Sequence, residues 1–332
     1  MNEHTLNSNA VEHSVKWFLV VNPISGSGKG LDDYPLISKL LRDNGIRCEA
    51  VFTEHKHHAT ELTVAAITEG YRHIIVVGGD GTLHEVVNGI FIQRCVEPSE
   101  ITVALISVGT GNDWIRMYGL PKQYSAAIRA IKEGYTFLQD VAAVEYEQSR
   151  YRQTRHMANV AGVGFDSAVI KHCVHMRERG AKGASLYIRA LVNTFFRYKP
   201  TGVKIWVDDR LVYNNLLFSM AIGVGKYNGG GIQQLPEAVA DDGLLDVTLI
   251  RPIHWWHVVF RLRRFFNGEI YSIGHVHHFQ GSKIRIESSP EVSLEIDGEL
   301  LGGSPVELRV LHRAVQVIVN KSFIDKLPKH VD

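Results

Sequence analysis

Apolar runs and helical periodicities alternate along the first 120 residues. Positions 17–21, 48–53, 74–77 and 101–106 are apolar enough to be strands. Between the first two, Leu36, Ile37, Leu40 and Leu41 recur at helical spacing. Positions 59–69 and 83–93 read as two further helices, the first stopped by Gly70. Strands alternating with helices predict a doubly wound parallel sheet. Sheets of that kind hold ligands beyond the carboxyl ends of their strands.

The pattern changes after about residue 140. Positions 141–147, 155–160, 203–208, 216–222, 245–250, 283–287, 292–296 and 306–310 alternate or carry β-branched residues, with turns between them. They predict an antiparallel β-sandwich. Helical stretches at 165–198 and 253–267 interrupt it, and a last strand at 314–319 is expected to return to the first domain. The expected organisation is a polar, disordered tail over 1–14, an α/β domain over 15–140 completed by 312–332, and a β-sandwich over 141–311. The fold class is thus α/β plus β.

Composition narrows the picture a little. A chain of 332 residues, 45% hydrophobic, is ample for two cores. A net charge of +1 gives no overall field toward nucleic acid, so no nucleic-acid partner is expected. Cys48, Cys95 and Cys173 have neither paired nor metal-like spacing, which suits reduced thiols in the cytoplasm. The 17 histidines form no metal pair by spacing. No run of 18 apolar residues is present, and the first 14 positions lack an apolar signal core.

Three glycine-rich loops follow predicted strands. The run Gly78-Gly79-Asp80-Gly81-Thr82 lies between a strand and a helix. Glycines let backbone N–H groups approach a ligand, and the helix start favours anions. A carboxylate inside such a cradle makes electrostatic sense with a cation present, which points to a nucleotide with Mg²⁺. The alternative is an ordinary strand-to-helix turn. Asn22-Pro23-Ile24-Ser25-Gly26 opens a second loop, running on to Gly30, and Gly109-Thr110-Gly111-Asn112-Asp113 forms the third. Neither Walker spacing nor a Gly-x-Gly-x-x-Gly fingerprint on the first strand is present, which disfavours a P-loop ATPase and a Rossmann dehydrogenase. Two acidic turns come late. Asp241-Asp242-Gly243 suits a hairpin or a hard cation, and Asp297-Gly298-Glu299 suits a hairpin or a proton acceptor.

Together these motifs resemble the soluble bacterial lipid kinases of the diacylglycerol kinase catalytic-domain superfamily, which also includes sphingosine and ceramide kinases. The resemblance runs from about Val15 to Val319. It rests on the three loops, on Gly162-Val163-Gly164-Phe165-Asp166, on Asp242-Gly243-Leu244-Leu245-Asp246 and on Asp297-Gly298-Glu299. It implies a nucleotide domain and a lipid-binding β-sandwich, with ATP and Mg²⁺ between them. It implies ATP contacts from Asn22, Pro23, Ile24, Ser25, Gly26, Thr53, Gly79, Asp80, Gly81, Thr82, Leu83, His84, Glu85 and Thr110. Glu299 matches the proton acceptor, with Asp297 beside it and Asp80 organising Mg²⁺. Asp242 and the backbone oxygens of Val239 and Leu244 match a structural Mg²⁺ site. His84 stands where asparagine is common in the family, and Gly111 where alanine, valine or threonine is usual.

The reading is phosphorylation of a lipid hydroxyl, of diacylglycerol or sphingoid type, by ATP and Mg²⁺ in phospholipid metabolism. The rivals are an NAD kinase-like enzyme and a catalytically idle nucleotide- or lipid-binding protein. The expected partner is a lipid at the membrane surface, met in transient contact by a cytoplasmic protein at the inner face. Trp255, Trp256, Val259, Phe260, Phe265 and Phe266, beside Arg261, Arg263 and Arg264, would suit a headgroup interface. The alternative, and the simpler reading, is a helix packed on the β domain, which Trp256, Phe260 and Arg263 also fit. A homodimer is left open.

Overall fold

The computed structural model describes residues 15–109, 111–181, 185–254 and 263–327. They fall into two compact units, one drawn from Met1–Gln139 with Val315–Asp332, the other from Asp140–Ala314.

In the first unit, β1 (Lys16–Val21), β2 (Arg47–Phe52), β3 (His73–Gly78) and β4 (Thr102–Ser107) pair in parallel in the order β2-β1-β3-β4. Helices α1 (Lys29–Asp32), α2 (Tyr34–Asp43), α3 (His58–Thr68), α4 (Asp80–Ile92), α5 (Asp113–Met117) and α6 (Tyr124–Glu133) connect or follow them. The central strands β3 and β4 are buried almost throughout, because helices cover both faces of a parallel sheet. Leu19, Ile75, Val77, Ala104 and Ile106 form one core with Ile37 and Leu41 of α2 and Ile128 and Ile131 of α6. On α4, a Cβ at Gly89 would stand 2.7 Å from the Thr60 carbonyl oxygen, so glycine there is what lets α3 approach. Register fixes the functional edge. Val21 is opposite Val77, and Gly78 is opposite Ser107. All three glycine-rich loops therefore leave the sheet at the same end.

The second unit is an antiparallel sandwich. Its strands are β5 (Thr136–Gln148) from Asp140 onward, β6 (Tyr151–Met157), β7 (Val160–Gly164), β8 (Thr201–Val207), β9 (Arg210–Leu217), β10 (Ser219–Gly223), β11 (Leu245–Ile250), β12 (Val276–Gly281), β13 (Lys283–Ser288), β14 (Ser293–Ile296) and β15 (Glu299–Ile318) as far as Ala314, the end of β15 belonging to the first unit, where it pairs in parallel with β4. One run of neighbours is β12-β11-β10-β7-β14-β15, and another is β9-β8-β13-β15, with β5 also on β15. Val144, Val163, Ile205, Ile222, Ile284 and Leu308 are among its buried core. Helices α7 (Phe165–Glu178) and α8 (Ser185–Phe195) add a smaller cluster with Phe218 and Ile250.

Several expected boundaries are corrected. The strand expected at 155–160 is two strands, β6 and β7, parted at Ala158-Asn159, whose amides bond to Asp297 instead of a neighbouring strand. The strand expected at 216–222 likewise breaks at Phe218. Those expected at 306–310 and 314–319 are one strand, β15, with Arg313 inside it at a positive φ of 47°. β12, His-rich and without alternation, was not expected at all. Of the expected 253–267 helix, residues 255–262 lie outside the described residues, and with them Trp255, Trp256, Val259, Phe260 and Arg261. No helix among the described residues is long and apolar enough to cross a membrane.

Candidate functional site

Asn22 joins the first loop to the second. Its N–H donates to the Val77 carbonyl at 2.9 Å, its Nδ2 to Thr82 Oγ1 at 2.9 Å, and its Oδ1 accepts from the Ile24 N–H. A Cβ at Gly26, whose φ is +62°, would stand 2.0 Å from the Val108 carbonyl oxygen. Glycine is therefore required for the first loop to lie against the third. Pro23 and Ser25 are half-buried, and Ile24 is 80% exposed. Thr53 follows β2 and donates its N–H to the Val21 carbonyl.

The second and third loops touch through glycines. A Cβ at Gly109 would stand 3.0 Å from Gly79 Cα, tight enough that the second loop would have to shift, whereas a Cβ at Gly79 would meet Gly109 Cα at an ordinary 3.5 Å. Asn112 braces the third loop, accepting from Ser107 Oγ and donating to the Gly109 carbonyl. Asp80 opens α4 and reaches the start of α5. Its two oxygens accept from the Asp113 N–H at 3.3 Å and the Trp114 N–H at 3.4 Å. Gly81 differs from the other glycines of these loops, since its Cβ would meet nothing within 4 Å and its φ is not positive. Its lack of a side chain keeps open space beside the first turn of a 13-residue helix. A phosphate with its cation fits that space, because helix-start amides and one carboxylate supply both signs of partner.

Other predicted contacts are engaged in the fold. Leu83 and His84 are buried, and Asn88 Nδ2 donates to the His84 carbonyl at 2.8 Å and meets its Nε2 at 3.2 Å. Glu85 accepts from the His57 and Ala59 N–H groups at 3.0 and 3.2 Å, and so caps α3. The α3 start has no cap of its own, and His57 sits at a left-handed φ of 66°. Thr110 lies outside the described residues.

In the second unit, Asp297-Gly298 is a two-residue turn between β14 and β15, with φ of 50° and 86°. Two positive φ angles define a type I′ hairpin. The Asp297 carboxylate accepts from the N–H groups of Ala158, Asn159 and Val160 at 3.0–3.1 Å. Its role in this structure is to anchor the turn, and Glu299 is the half-buried carboxylate the turn presents. Glu295, buried in β14, accepts from the Gly298 N–H at 2.9 Å. Burial, then the charges of Asp166 and Asp297, push its carboxyl up to about 8. Burial pushes Asp166 up to about 6, against hydrogen bonds from Ser219 and Gln234.

The other acidic turn is braced from below. Asp242 accepts from the Leu244 N–H at 2.9 Å, and desolvation raises its carboxyl. One carboxylate with two carbonyls, those of Val239 and Leu244, is a donor set suited to a hard cation. Asp246 accepts from His278 and Gln280 of β12. Asp140, fully buried, accepts from the Gly243 N–H, the Arg313 N–H and His312 Nδ1. Asp140 and Glu295 had no place among the sequence candidates. The signal available was a carboxylate beside apolar residues within a strand, Asp140 before Val141-Ala142-Ala143-Val144 and Glu295 between Leu294 and Ile296.

Comparison with known proteins gives these sites a context. Residues 16–144 match the diacylglycerol kinase catalytic domain, and residues 159–319 match the YegS C-terminal NAD kinase beta sandwich-like domain. A diacylglycerol kinase of Mycobacterium tuberculosis is 25% identical over 300 residues, 90% of this chain and 93% of its own. A diacylglycerol kinase of Staphylococcus saprophyticus is 24% identical over 313 residues, 93% of this chain and 98% of its own. A crystal structure of a diacylglycerol kinase from Bacillus anthracis superposes with a TM-score of 0.68 at 22% identity, covering 93% of this chain and 98% of that one. The chain thus carries a diacylglycerol kinase catalytic domain followed by a YegS-type C-terminal β-sandwich domain, the two matches together spanning nearly its whole length.

Proposed function

We propose that the chain is an ATP- and Mg²⁺-dependent lipid kinase that phosphorylates a lipid hydroxyl of diacylglycerol or sphingoid type. The observation that carries the reading is Gly81. It stands at the start of a long helix, the protein's own packing makes no demand for glycine there, and it is adjacent to Asp80. In this reading the amides of the Gly79–Thr82 turn hold the β- and γ-phosphates, and Asp80 organises Mg²⁺ directly or through water. Asn22 to Gly26, Thr53 and Thr110 line the nucleotide. Leu83, His84 and Glu85 contribute by keeping the helix start in place. Glu299 takes the proton of the attacking hydroxyl, while Asp297 fixes the hairpin that presents it. Catalysis is then positioning and charge neutralisation, as in other phosphoryl transfers. Asp242, with the Val239 and Leu244 carbonyls, holds a second, structural Mg²⁺. The enzyme meets its substrate at a membrane surface, in transient contact.

The test is transfer of labelled γ-phosphate from ATP to a panel of diacylglycerol, sphingoid base, ceramide and extracted bacterial lipids, with and without Mg²⁺. Label in a lipid that disappears with EDTA supports the proposal. Label in NAD, with none in any lipid, replaces it with a soluble-kinase function. Tight ATP binding without transfer to any acceptor replaces it with a binding function.

A further inference from the structure

Two carboxyl groups of the second unit lie together in a place where neither is needed for strand pairing. Glu295 of β14 is opposite Gly162 of β7. A Cβ at Gly162 would stand 2.5 Å from Glu295 Oε1 and 2.8 Å from Asp166 Cβ. The absent side chain of Gly162 is therefore what makes room for the pair. Glu295 is only 2% exposed. Its Oε2 accepts from the Gly298 N–H, the central amide of the hairpin turn. Asp166, in the first turn of α7, accepts from Ser219 Oγ at 2.7 Å and from Gln234 Nε2 at 3.4 Å. The turn is thus held twice. The Asp297 carboxylate is gripped by three amides at the entry to β7, and the Gly298 amide is gripped by Glu295.

We propose that Glu295, paired with Asp166 over Gly162, is the positioning residue of the turn that presents Glu299. The proposal rests on Glu299 being the proton acceptor of the reaction. Glu295 acts through the Gly298 amide and touches no reacting atom. Its action depends on its charge. The groups that face the pair are Asp297 at the turn, Asn228, which donates to Glu295, and Tyr198, whose hydroxyl is pushed up to about 12 by burial and by Asp166. Burial pushes both carboxyls up, and the charge of Asp166 adds to the shift on Glu295, so the pair holds on to a proton at neutral pH. Above pH 8 a third negative charge enters the Asp166, Glu295 and Asp297 group, and the turn loosens under repulsion in a poorly solvated site. The sign follows from linkage. Both folded carboxyls titrate above their ordinary values, so their contribution to stability is full at acidic pH. It is lost as pH rises through about 6 and about 8.

Three proteins test this: wild type, Glu295→Gln and Glu295→Leu. Turnover, melting temperature and exchange of the Gly298 amide are followed from pH 6 to 9.5. Glutamine keeps an acceptor for Gly298 and cannot ionise, whereas leucine keeps neither property. In wild type, turnover is expected to fall about tenfold from pH 7 to 9, in step with the protonated fraction of a group near 8. Melting should fall over the same range. Glu295→Gln should restore neutral-pH turnover to within about threefold while flattening the alkaline fall of both rate and melting temperature. Glu295→Leu should lose about tenfold in kcat with the KM for ATP unchanged, and should show fast Gly298 exchange at every pH. An alkaline fall in Glu295→Gln identical to wild type overturns the proposal, as does slow Gly298 exchange in Glu295→Leu. Melting and exchange need no substrate. If no lipid is phosphorylated by any of the three, the lipid-kinase reading fails while these two measurements still decide the role of Glu295.

Discussion

A methyl group added at Gly81 would meet no protein atom within 4 Å, and the backbone there needs no positive φ. Gly81→Ala should therefore leave the fold intact, and should raise helix stability by up to about 1 kcal/mol. If the space holds phosphate, the same methyl intrudes on it. The expected result is an unchanged or raised melting temperature with ATP affinity reduced about tenfold or more. Unchanged ATP affinity would detach this turn from the nucleotide. Asp80 and Glu299 separate differently. Asp80 accepts from two amides of α5, so Asp80→Ala mixes chemistry with loss of a cap worth about 1 kcal/mol. Asp80→Asn keeps an acceptor and is the cleaner variant, expected to lose about 10²–10³-fold in kcat as the charge facing Mg²⁺ disappears. Glu299→Gln should lose roughly 10²–10⁴-fold, as for removal of a general base, with its melting curve within about 0.5 kcal/mol of wild type. Near-normal turnover by folded Glu299→Gln would remove that residue from the mechanism.

At the scale of elements, Glu85 shows how a motif residue can serve the fold. Helix α3 starts at His58 without a side-chain cap of its own, and the carboxylate of Glu85, on α4, fills that place. Glu85→Ala strands two amides, each costing roughly 1–3 kcal/mol when unpartnered and buried, less where water reaches them. Melting should drop measurably, with recovery in Glu85→Gln, which keeps one acceptor oxygen. A Glu85→Ala protein as stable as wild type would leave the carboxylate available to the nucleotide instead. The sequence could show that Glu85 belongs to a helix after the glycine turn, because periodicity and the Gly-Gly-Asp-Gly signal are local. It could not show that its partner is the start of α3, 26 residues earlier, because that contact arises only when parallel strands align. The same limit explains β6 and β7. Their residues read as one strand until the Asp297 carboxylate, 137 residues away from Val160, draws off the amides of Ala158 and Asn159. β12 was missed for a different reason. Its one residue packed on the sandwich core is Phe279, flanked by His278 and the exposed Gln280, which bond to Asp246, so the strand shows no run of alternating apolar positions.

At the scale of the molecule, the division into an α/β unit and a β-sandwich was legible because hydrophobic period differs between the two halves, 3.6 mixed with short apolar runs in one and 2 in the other. Charge was less informative. A net +1 says only that binding to a membrane cannot come from the overall field. What the second unit does offer is local. Phe196 is 71% exposed, Phe266 49% and Val192 48%. Exposed Arg189 and Arg197 are neighbours of two of these in the chain. Large apolar side chains left in water beside guanidinium groups suit a headgroup interface, where rings enter the acyl boundary and cations stay with phosphates. Burying one phenylalanine side chain contributes about 1.5–3 kcal/mol, enough for at least a tenfold change in partition. The protein should therefore float with vesicles containing phosphatidylglycerol at low ionic strength. Flotation should decline as salt shortens the Debye length from about 10 Å at 0.1 M toward 3 Å at 1 M, and should decline without anionic lipid. Phe196→Ser should weaken flotation about tenfold without changing ATP affinity or the turnover of a micellar substrate. If the wild type floats with no vesicle of any composition yet turns over micellar lipid well, these side chains have no membrane role and substrate reaches the enzyme by another route.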